Sequence, residues 1–459
     1  MNTLARRIHP ELPIFCLDSE EHSFIYVPGS SRRVDRAEAQ MLQDWFASRG
    51  TSSMQAVPQL AAMLETQARR SMAEWRRLSE KPYAPVCLTV YLSNRCNLQC
   101  SYCFSAANRG TETRDRPALA KRDAGFTAIG VVDVAAVERA ADVVAENCSK
   151  DGKPLTVVLH GGGEPTLHWQ LVRRLVSATR EVAAEHGIDW WGYIATNGVV
   201  SEAKAEWLAR HFNLIGLSCD GPPAIHDIQR PTVWGHSTSA IVARTGRAFI
   251  RNGTPFVVRT TITPDTIGSQ SEIVQYIAET FGARTLRFEP AYGVAGVRGS
   301  WFLAADAERF VREFLCAKDV ASRLSCDLQI SGARTLEVHG PHCNVLRDVL
   351  QITPDGVASA CFAVVSGATA EARGVSLGRI DVASAQVGID VERAREMRIR
   401  ATQIPAKCQD CVNVYHCVRQ CPEHCALLEH KDGPNEPEGF SCLVSRQLAE
   451  DWICRYAAS

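Results

Sequence analysis

Between residues 87 and 288 short apolar runs alternate with longer stretches of helical period. The runs are Cys87–Leu92, Leu155–His160, Trp190–Ala195, Leu214–Ser218, Phe256–Ile262 and Thr285–Phe288. Runs this short, without strict polar alternation, read as strands covered on both faces. The stretches between and after them, 133–147, 168–186, 201–211, 238–252, 270–281 and 305–322, repeat their apolar residues at helical spacing. Alternation of this kind predicts a parallel sheet with outer helices. Six strand–helix units fall short of the closed eightfold barrel. The expected fold is therefore α/β, a partial (β/α)6 barrel over residues 83–325.

The flanks read differently. In residues 1–82, Ile14–Leu17 and Ser23–Val27 predict two short strands joined by an acidic turn. Asp35–Ala47 predicts a helix with Asp35 as its N-cap, and a second helix runs from Val57 to Leu78. This is a small α+β unit, and Lys-Pro-Tyr-Ala-Pro at 81–85 marks its boundary. In residues 326–459 periodicity fades while Gly, Pro and Cys crowd together, which predicts a loop-rich domain held by metal. Residues 104–130 are charged and poor in large apolar side chains, the composition of an exposed loop or lid.

Composition narrows the partners. Among 459 residues there are 50 Lys plus Arg and 51 Asp plus Glu, a formal net charge of −1. That balance gives no electrostatic reason to expect nucleic acid or an anionic membrane. A hydrophobic share of 46% against 22% charged excludes wholesale disorder. No apolar run approaches the ~18 residues of a membrane helix. The N-terminus MNTLARRIHPELPIF has no signal-peptide core, so a cytoplasmic location is expected. In such a chain 18 cysteines point to metal or redox chemistry rather than disulfides.

The cysteines are unevenly spread. Cys96, Cys100 and Cys103 form a Cx3Cx2C group directly after the first barrel strand. Three thiolates on a tight loop suit three irons of a 4Fe-4S cube and leave the fourth iron open to an outside ligand. A cluster that only carries electrons normally has four cysteines. The spacing alone also permits a zinc site completed by a distant His, although zinc favours paired Cx2C hairpins. Other chemistry-bearing residues fall at strand ends as well: Gly161–Pro165, Thr196–Gly198, and Asp220 with Gly221. The C-terminal ends of such strands are where parallel barrels build their sites.

Cx3Cx2C with Tyr102 before its last cysteine resembles the signature of the radical SAM enzymes. The resemblance implies that the open iron chelates the amino and carboxylate groups of S-adenosylmethionine. Electron transfer from the cluster then cleaves the S–C5′ bond, and the 5′-deoxyadenosyl radical abstracts a substrate hydrogen. Gly162-Gly163-Glu164-Pro165 resembles the family's GGEP motif, which implies contact with the SAM amino group. A carboxylate suits an ammonium, and glycines let backbone approach closely. Ser218-Cys219-Asp220-Gly221-Pro222 resembles the family's Ser-Leu-Asp-Gly-Pro strand end, and Thr196-Asn197-Gly198 another strand end. By that resemblance Asn197, Ser218 and Asp220 bind ribose hydroxyls or the SAM carboxylate, although Thr-Asn-Gly is also an ordinary turn. Arg259 on the fifth strand holds a carboxylate if it faces inward, and the sequence leaves its facing open. The resemblance spans residues 86–300.

A second pattern follows: Cys343-x12-Gly356-x4-Cys361, then Cys408-x2-Cys411-x5-Cys417-x3-Cys421, then Cys442. From spacing alone its rival is a zinc-ribbon-like module. The pattern resembles the SPASM domain, which implies two auxiliary 4Fe-4S clusters. One would use Cys408, Cys411, Cys417 and Cys442, the other Cys343, Cys361 and Cys421. Either Cys425 completes the second cluster or an open iron takes a substrate thiolate. Cys16, Cys87, Cys148, Cys219, Cys316, Cys326 and Cys454 are left for packing.

An auxiliary cluster can accept the electron released when a substrate radical closes a new bond, which implies net oxidation of the substrate. SPASM relatives include maturases of sulfatases, of quinone cofactors and of ribosomally made peptides. In the sulfatase maturases a general-base Asp follows the cysteine of the Gly-x4-Cys element. Here Phe362 stands there, which argues against formylglycine formation. The N-terminal unit is similar to leader-binding domains, which capture a peptide by strand addition; a structural cap is the other reading. The expected protein is a radical SAM oxidoreductase that crosslinks a precursor peptide, fed by an external flavodoxin- or ferredoxin-type donor. The alternative is a dehydrogenase, epimerase or maturase acting on a folded protein or small molecule.

Overall fold

The structure, a computed structural model, describes residues 5–48, 57–103, 105, 130–291, 302–331, 333–338, 347–381, 386–417 and 439–457. The proposed lid thus lies almost wholly outside the described residues, as do Cys343, Cys421 and Cys425.

The N-terminal unit is a four-stranded antiparallel sheet in the order β1 (Arg6–Arg7), β2 (Phe15–Asp18), β3 (Ser23–Val27) and β4 (Ser30–Val34). The helices Arg36–Ala47 and Val57–Glu80 follow, and Asp35 caps the first by accepting from Glu38 N at 2.7 Å. Alternation along the strands makes both faces apolar. Cys16, Ile25 and Val34 pack on Leu42, Phe46 and Leu64 of the two helices. Phe15, Leu17, Phe24 and Tyr26 pack on Val412, Ala449 and Ile453 from the far end of the chain.

Among the described residues the second sheet has eleven strands. Its parallel centre is β5 (Cys87–Val90), β6 (Leu155–Leu159), β7 (Trp190–Thr196), β8 (Leu214–Ser218), β9 (Phe256–Ile262) and β10 (Thr285–Pro290), adjacent in chain order. These are the six expected strands, with ends displaced by at most two residues. Beyond β10 the parallel strand β11 (Asp327–Gln329) is added. On the other side β12 (Val349–Ile352) pairs parallel with β5 and leads into the antiparallel run β13 (Val357–Ser359), β14 (Ser376–Asp381) and β15 (Gln386–Ile389). The sheet therefore continues past residue 326 on both edges. The region expected to be loop-rich also holds the helices Val391–Thr402 and Phe440–Ala457.

One face of the central strands, with Val157, Leu159, Ile194, Ile215, Leu217, Val258 and Phe288, joins the outer helices in a single core. The other face is polar towards its C-terminal end. Arg259 Nη1 lies 2.7 Å from His160 Nε2 although β8 and β7 stand between β9 and β6. In a flat sheet three strand spacings are about 14 Å, so this contact requires the sheet to curl. A Cβ on Gly216 would fall 2.0 Å from the Tyr193 hydroxyl and 3.3 Å from Arg259 Cδ. Tyr193, Gly216 and Arg259 thus share the concave face, and the open facing of Arg259 resolves to the barrel interior.

Candidate active site

The cysteine loop after β5 is fastened on both flanks. On one flank it meets the glycine loop after β6, where Gly163 N donates to Ser93 O and Glu164 N to Arg95 O, each at 2.8 Å. A Cβ on Gly163 would come within 1.9 Å of Arg95 O, and one on Gly162 within 2.7 Å of Ser93 O. The glycines here let two loops touch through their backbones. On the other flank runs the segment 229–233. Ser101 N donates to Gln229 O at 3.0 Å, Gln99 N to Pro231 O at 2.9 Å and Val233 N to Asn97 O at 3.0 Å.

Cys96, Cys100 and Cys103 are all half-buried on this loop. Leu98 N donates to Cys96 Sγ at 3.4 Å, and Asn197 Nδ2 lies 3.9 Å from the same sulfur. N–H groups aimed at sulfur are among the features that tune iron–sulfur clusters. Burial pushes the Cys100 thiol up to about 12, against the opposing pull of Arg230. Metal binding itself must therefore make the thiolate. Among the described residues no group of three or more His, Cys, Asp or Glu side chains is placed to hold a single metal ion. Three thiols on one loop are a donor set that fits three irons of a 4Fe-4S cube. Behind them the buried Arg230 keeps its Nε without a hydrogen-bond partner.

Glu164 is buried. Its Oε1 accepts from Thr166 N at 3.1 Å, Thr166 Oγ1 at 2.6 Å and Thr196 Oγ1 at 2.8 Å, and its Oε2 from Asn197 N at 2.7 Å. The carboxylate ties the segment after β6 to the end of β7. Asp220 is likewise engaged within the protein. Its Oδ2 accepts from Tyr102 Oη at 2.6 Å and Gln229 Nε2 at 2.9 Å, and its Oδ1 from Thr261 N at 3.1 Å. Arg230 Nη1 stands 3.7 Å from Asp220 Oδ1 and also donates to Tyr102 Oη. Through Tyr102 these contacts brace the cysteine loop. Asn197 accepts from Val199 N at 2.9 Å and donates to Asn97 Oδ1 at 2.8 Å, beside Cys96. Ser218 is half-buried at the end of β8, in register with Arg259. Pro165 is buried and opens the turn that follows Glu164.

Several interior residues were not singled out by the sequence. His160 faces Arg259, and burial, then that charge, lowers its pKa to about 3. Glu289 Oε1 accepts from Ser331 Oγ at 2.6 Å and Ser331 N at 3.2 Å. Burial pushes the Glu289 carboxyl up, against those bonds and the charges of Arg287 and Arg259. The only signal for these two was a polar side chain at, or just past, the C-terminal end of an apolar run.

The segment bearing Cys361 is bound to the base of the same loop. Tyr91 Oη donates to Phe362 O, and Asn94 Nδ2 to Val365 O at 3.0 Å. Cys408 and Cys411 pack against Trp75, Val414 and Tyr415. Tyr26 Oη donates to Thr335 O at 2.7 Å and lies 2.8 Å from Nε2 of His416, next to Cys417. Cys442 sits in the first turn of the helix Phe440–Ala457. Of the cysteines left for packing, Cys16, Cys148, Cys219 and Cys326 are buried, Cys87 and Cys454 are half-buried, and Cys316 is exposed.

With this geometry in view, residues 90–277 match the radical SAM superfamily. The chain carries a radical SAM domain, and that family binds a 4Fe-4S cluster and S-adenosylmethionine. It is homologous to the anaerobic sulfatase-maturating enzymes. The cysteine-type enzyme of Clostridium perfringens is 26% identical over 192 residues, 41% of this chain and 46% of that protein. The match thus spans about half the length of that relative. The serine-type enzyme of Klebsiella aerogenes is 23% identical over 363 residues, 76% of this chain and 82% of that one. The fold is shared with native anSMEcpe with bound AdoMet, at TM-score 0.60, 18% identity and coverage of 81% of this chain and 99% of that one. It is shared also with Streptococcus suis SuiB bound to its precursor peptide SuiA, at TM-score 0.52, 15% identity and coverage of 92% and 96%. Among the described residues no helix is long and apolar enough to cross a membrane.

Proposed function

We propose that this protein is a radical SAM/SPASM maturase that crosslinks a ribosomally made peptide by oxidation. When bound, the cluster and S-adenosylmethionine supply the radical that removes a hydrogen from an unactivated carbon. Cys96, Cys100 and Cys103 hold that cluster. The Gly162–Gly163 backbone and Asn197 form one wall of the loop, and Arg259 with His160 lines the interior where substrate enters. Cys408, Cys411, Cys417 and Cys442 hold one auxiliary cluster. Cys361, with Cys343, Cys421 and either Cys425 or a substrate thiolate, holds the other. An external flavodoxin- or ferredoxin-type protein supplies the electron. The N-terminal unit captures the peptide by strand addition.

The observation that carries this reading is the fastening of the Cys361 segment to the cysteine loop through Tyr91 and Asn94. It ties a second thiol-bearing segment to the base of the first. SuiB, crystallised with a precursor peptide, shares the fold along most of both chains, which favours a peptide over a small molecule. Phe362 takes the place of the formylglycine base, which favours crosslinking over sulfatase maturation.

The test is anaerobic reconstitution with a one-electron reductant and S-adenosylmethionine, followed by mass spectrometry of a co-expressed precursor peptide. 5′-Deoxyadenosine should form, and the peptide should lose two hydrogens (roughly 2 Da, one C–H and one X–H replaced by a bond). Cys96→Ala should abolish both, and Cys361→Ala should abolish only the peptide change. Formation of 5′-deoxyadenosine by Cys96→Ala, or a peptide unchanged in mass, would sink the reading.

A further inference from the structure

Arg230 is a full guanidinium closed inside the protein beside the cysteine loop. Its side chain is 9% exposed, and that of Asp220, 3.7 Å away, is 0% exposed. Three restraints fix it. Its Nη1 bonds to the Tyr102 hydroxyl, its guanidinium carbon sits 5.8 Å from the centre of the Tyr102 ring, and its backbone runs alongside residues 99–101. Tyr102 lies between two of the three cysteines in sequence, so the cation is tied to the loop it backs. Yet Arg230 Nε is buried with no partner. An unmet guanidinium donor in the interior is costly, and Asp220 is already shared with Tyr102, Gln229 and Thr261. A group that brings negative charge to the cysteines would answer both the unmet donor and the incomplete pairing.

We propose that Arg230 is a positioning residue of the SAM-binding cluster, a buried cation that raises its reduction potential, with Asp220 and Tyr102 fixing where the charge sits. Reduction adds an electron to a site that already carries thiolates. A fixed positive charge in a poorly screened interior favours the reduced state, and Asp220 works in the opposite sense. The two members of one pair therefore push the potential in opposite directions. A residue that merely held the loop in shape would not do this. The inference rests on the proposed radical SAM function, because it needs the three cysteines to carry that cluster.

The experiment is a redox titration of the reconstituted full-length protein followed by electron paramagnetic resonance. The signal that changes on adding S-adenosylmethionine marks the cluster in question and separates it from the auxiliary ones. Arg230→Met should move the midpoint of that signal to more negative potential, Asp220→Asn should move it to more positive potential, and Arg230→Lys should restore it towards the wild-type value. Unchanged midpoints, or shifts of one sign in both Arg230→Met and Asp220→Asn, would overturn the proposal. If Arg230→Met fails to retain iron, the comparison of Arg230→Lys, Asp220→Asn and wild type still decides it, since Asp220→Asn must move the midpoint upward. A wild-type protein with no SAM-responsive signal would instead refute the proposed function.

Discussion

At His160 an inward-facing imidazole sits beside the Arg259 guanidinium, and burial, then that charge, lowers its pKa to about 3. The ring is therefore neutral and accepts from Arg259 Nη1. An unfolded histidine titrates near ~6.5. Between that value and about 3 the unfolded chain binds a proton that the native site refuses. Native stability thus rises with pH across this window and is lost as pH falls through it. The loss at this residue is about 2 kcal/mol by pH ~5. His160→Gln keeps an acceptor for Arg259 but does not titrate. Comparing thermal midpoints near pH ~7.5 and ~5, the wild type should drop further than the variant; equal drops would remove His160 from the acid response. The sequence showed His160 only as the last residue of an apolar run. In a parallel sheet both faces are expected to be apolar, so alternation could not say that this face lines an interior. The proximity of Arg259 depends on the curl of the sheet across two intervening strands.

The loops that frame the cysteines act as a zipped pair, and the tightest point of their fit is the Cβ that Gly163 lacks. A Cβ at Gly163 would meet Arg95 O at 1.9 Å, and Arg95 C and N at 2.5 and 2.7 Å. All three are backbone atoms, so no side chain can swing aside. Gly163→Ala must push the glycine loop off the cysteine loop and break the 2.8 Å bonds from Gly163 N and Glu164 N. Overpacking of this kind costs about 1–3 kcal/mol, which corresponds to a fall in SAM cleavage on the order of 10- to 100-fold if geometry follows strain. Assaying 5′-deoxyadenosine against total iron checks it. Cleavage should collapse while auxiliary iron remains, and full activity would show that the loops separate harmlessly. The glycines were legible in the sequence, but their immediate partner was not, because the backbone they accommodate arrives from a strand about 70 residues earlier. Other elements were hidden for local reasons. Ser30–Val34 reads Ser-Ser-Arg-Arg-Val and has no apolar alternation, although Pro28-Gly29, with Gly29 at φ 88°, signals the turn into it. The helix Phe440–Ala457 packs Ala449 and Ile453 on the N-terminal sheet and Trp452 near Phe314 on another side. Its apolar residues accordingly repeat on no single face.

Across the whole molecule the first and last segments of the chain are packed together. The N-terminal sheet covers Val412, Ala449 and Ile453 with one face, and Trp75 from the helix behind it reaches Tyr415 edge-on at 5.5 Å between ring centres. Trp75, Val414 and Tyr415 form a core with Cys408 and Cys411 at its border. Removing residues 1–82 would therefore strip a wall from the Cys408–Cys417 segment as well as any peptide-binding surface. Deletion of the unit cannot isolate a capture role, and a point change is the sharper probe. Trp75→Ala takes a buried aromatic from this small core, a loss of about 3–5 kcal/mol. The barrel has its own core, built from the central strands and their helices without Trp75. The effect should thus fall on the segment bearing Cys408, Cys411 and Cys417. Anaerobically purified Trp75→Ala should carry about eight irons per chain where wild type carries about twelve, at four per cube. It should still cleave S-adenosylmethionine, but turn over peptide at no more than roughly a tenth of the wild-type rate, the tenfold loss that about 1.4 kcal/mol at the transition state produces. Retention of all the iron with normal turnover would mean that the N-terminal unit rests on the cysteine segment without supporting it. Loss of SAM cleavage as well would mean that the two cores are energetically one.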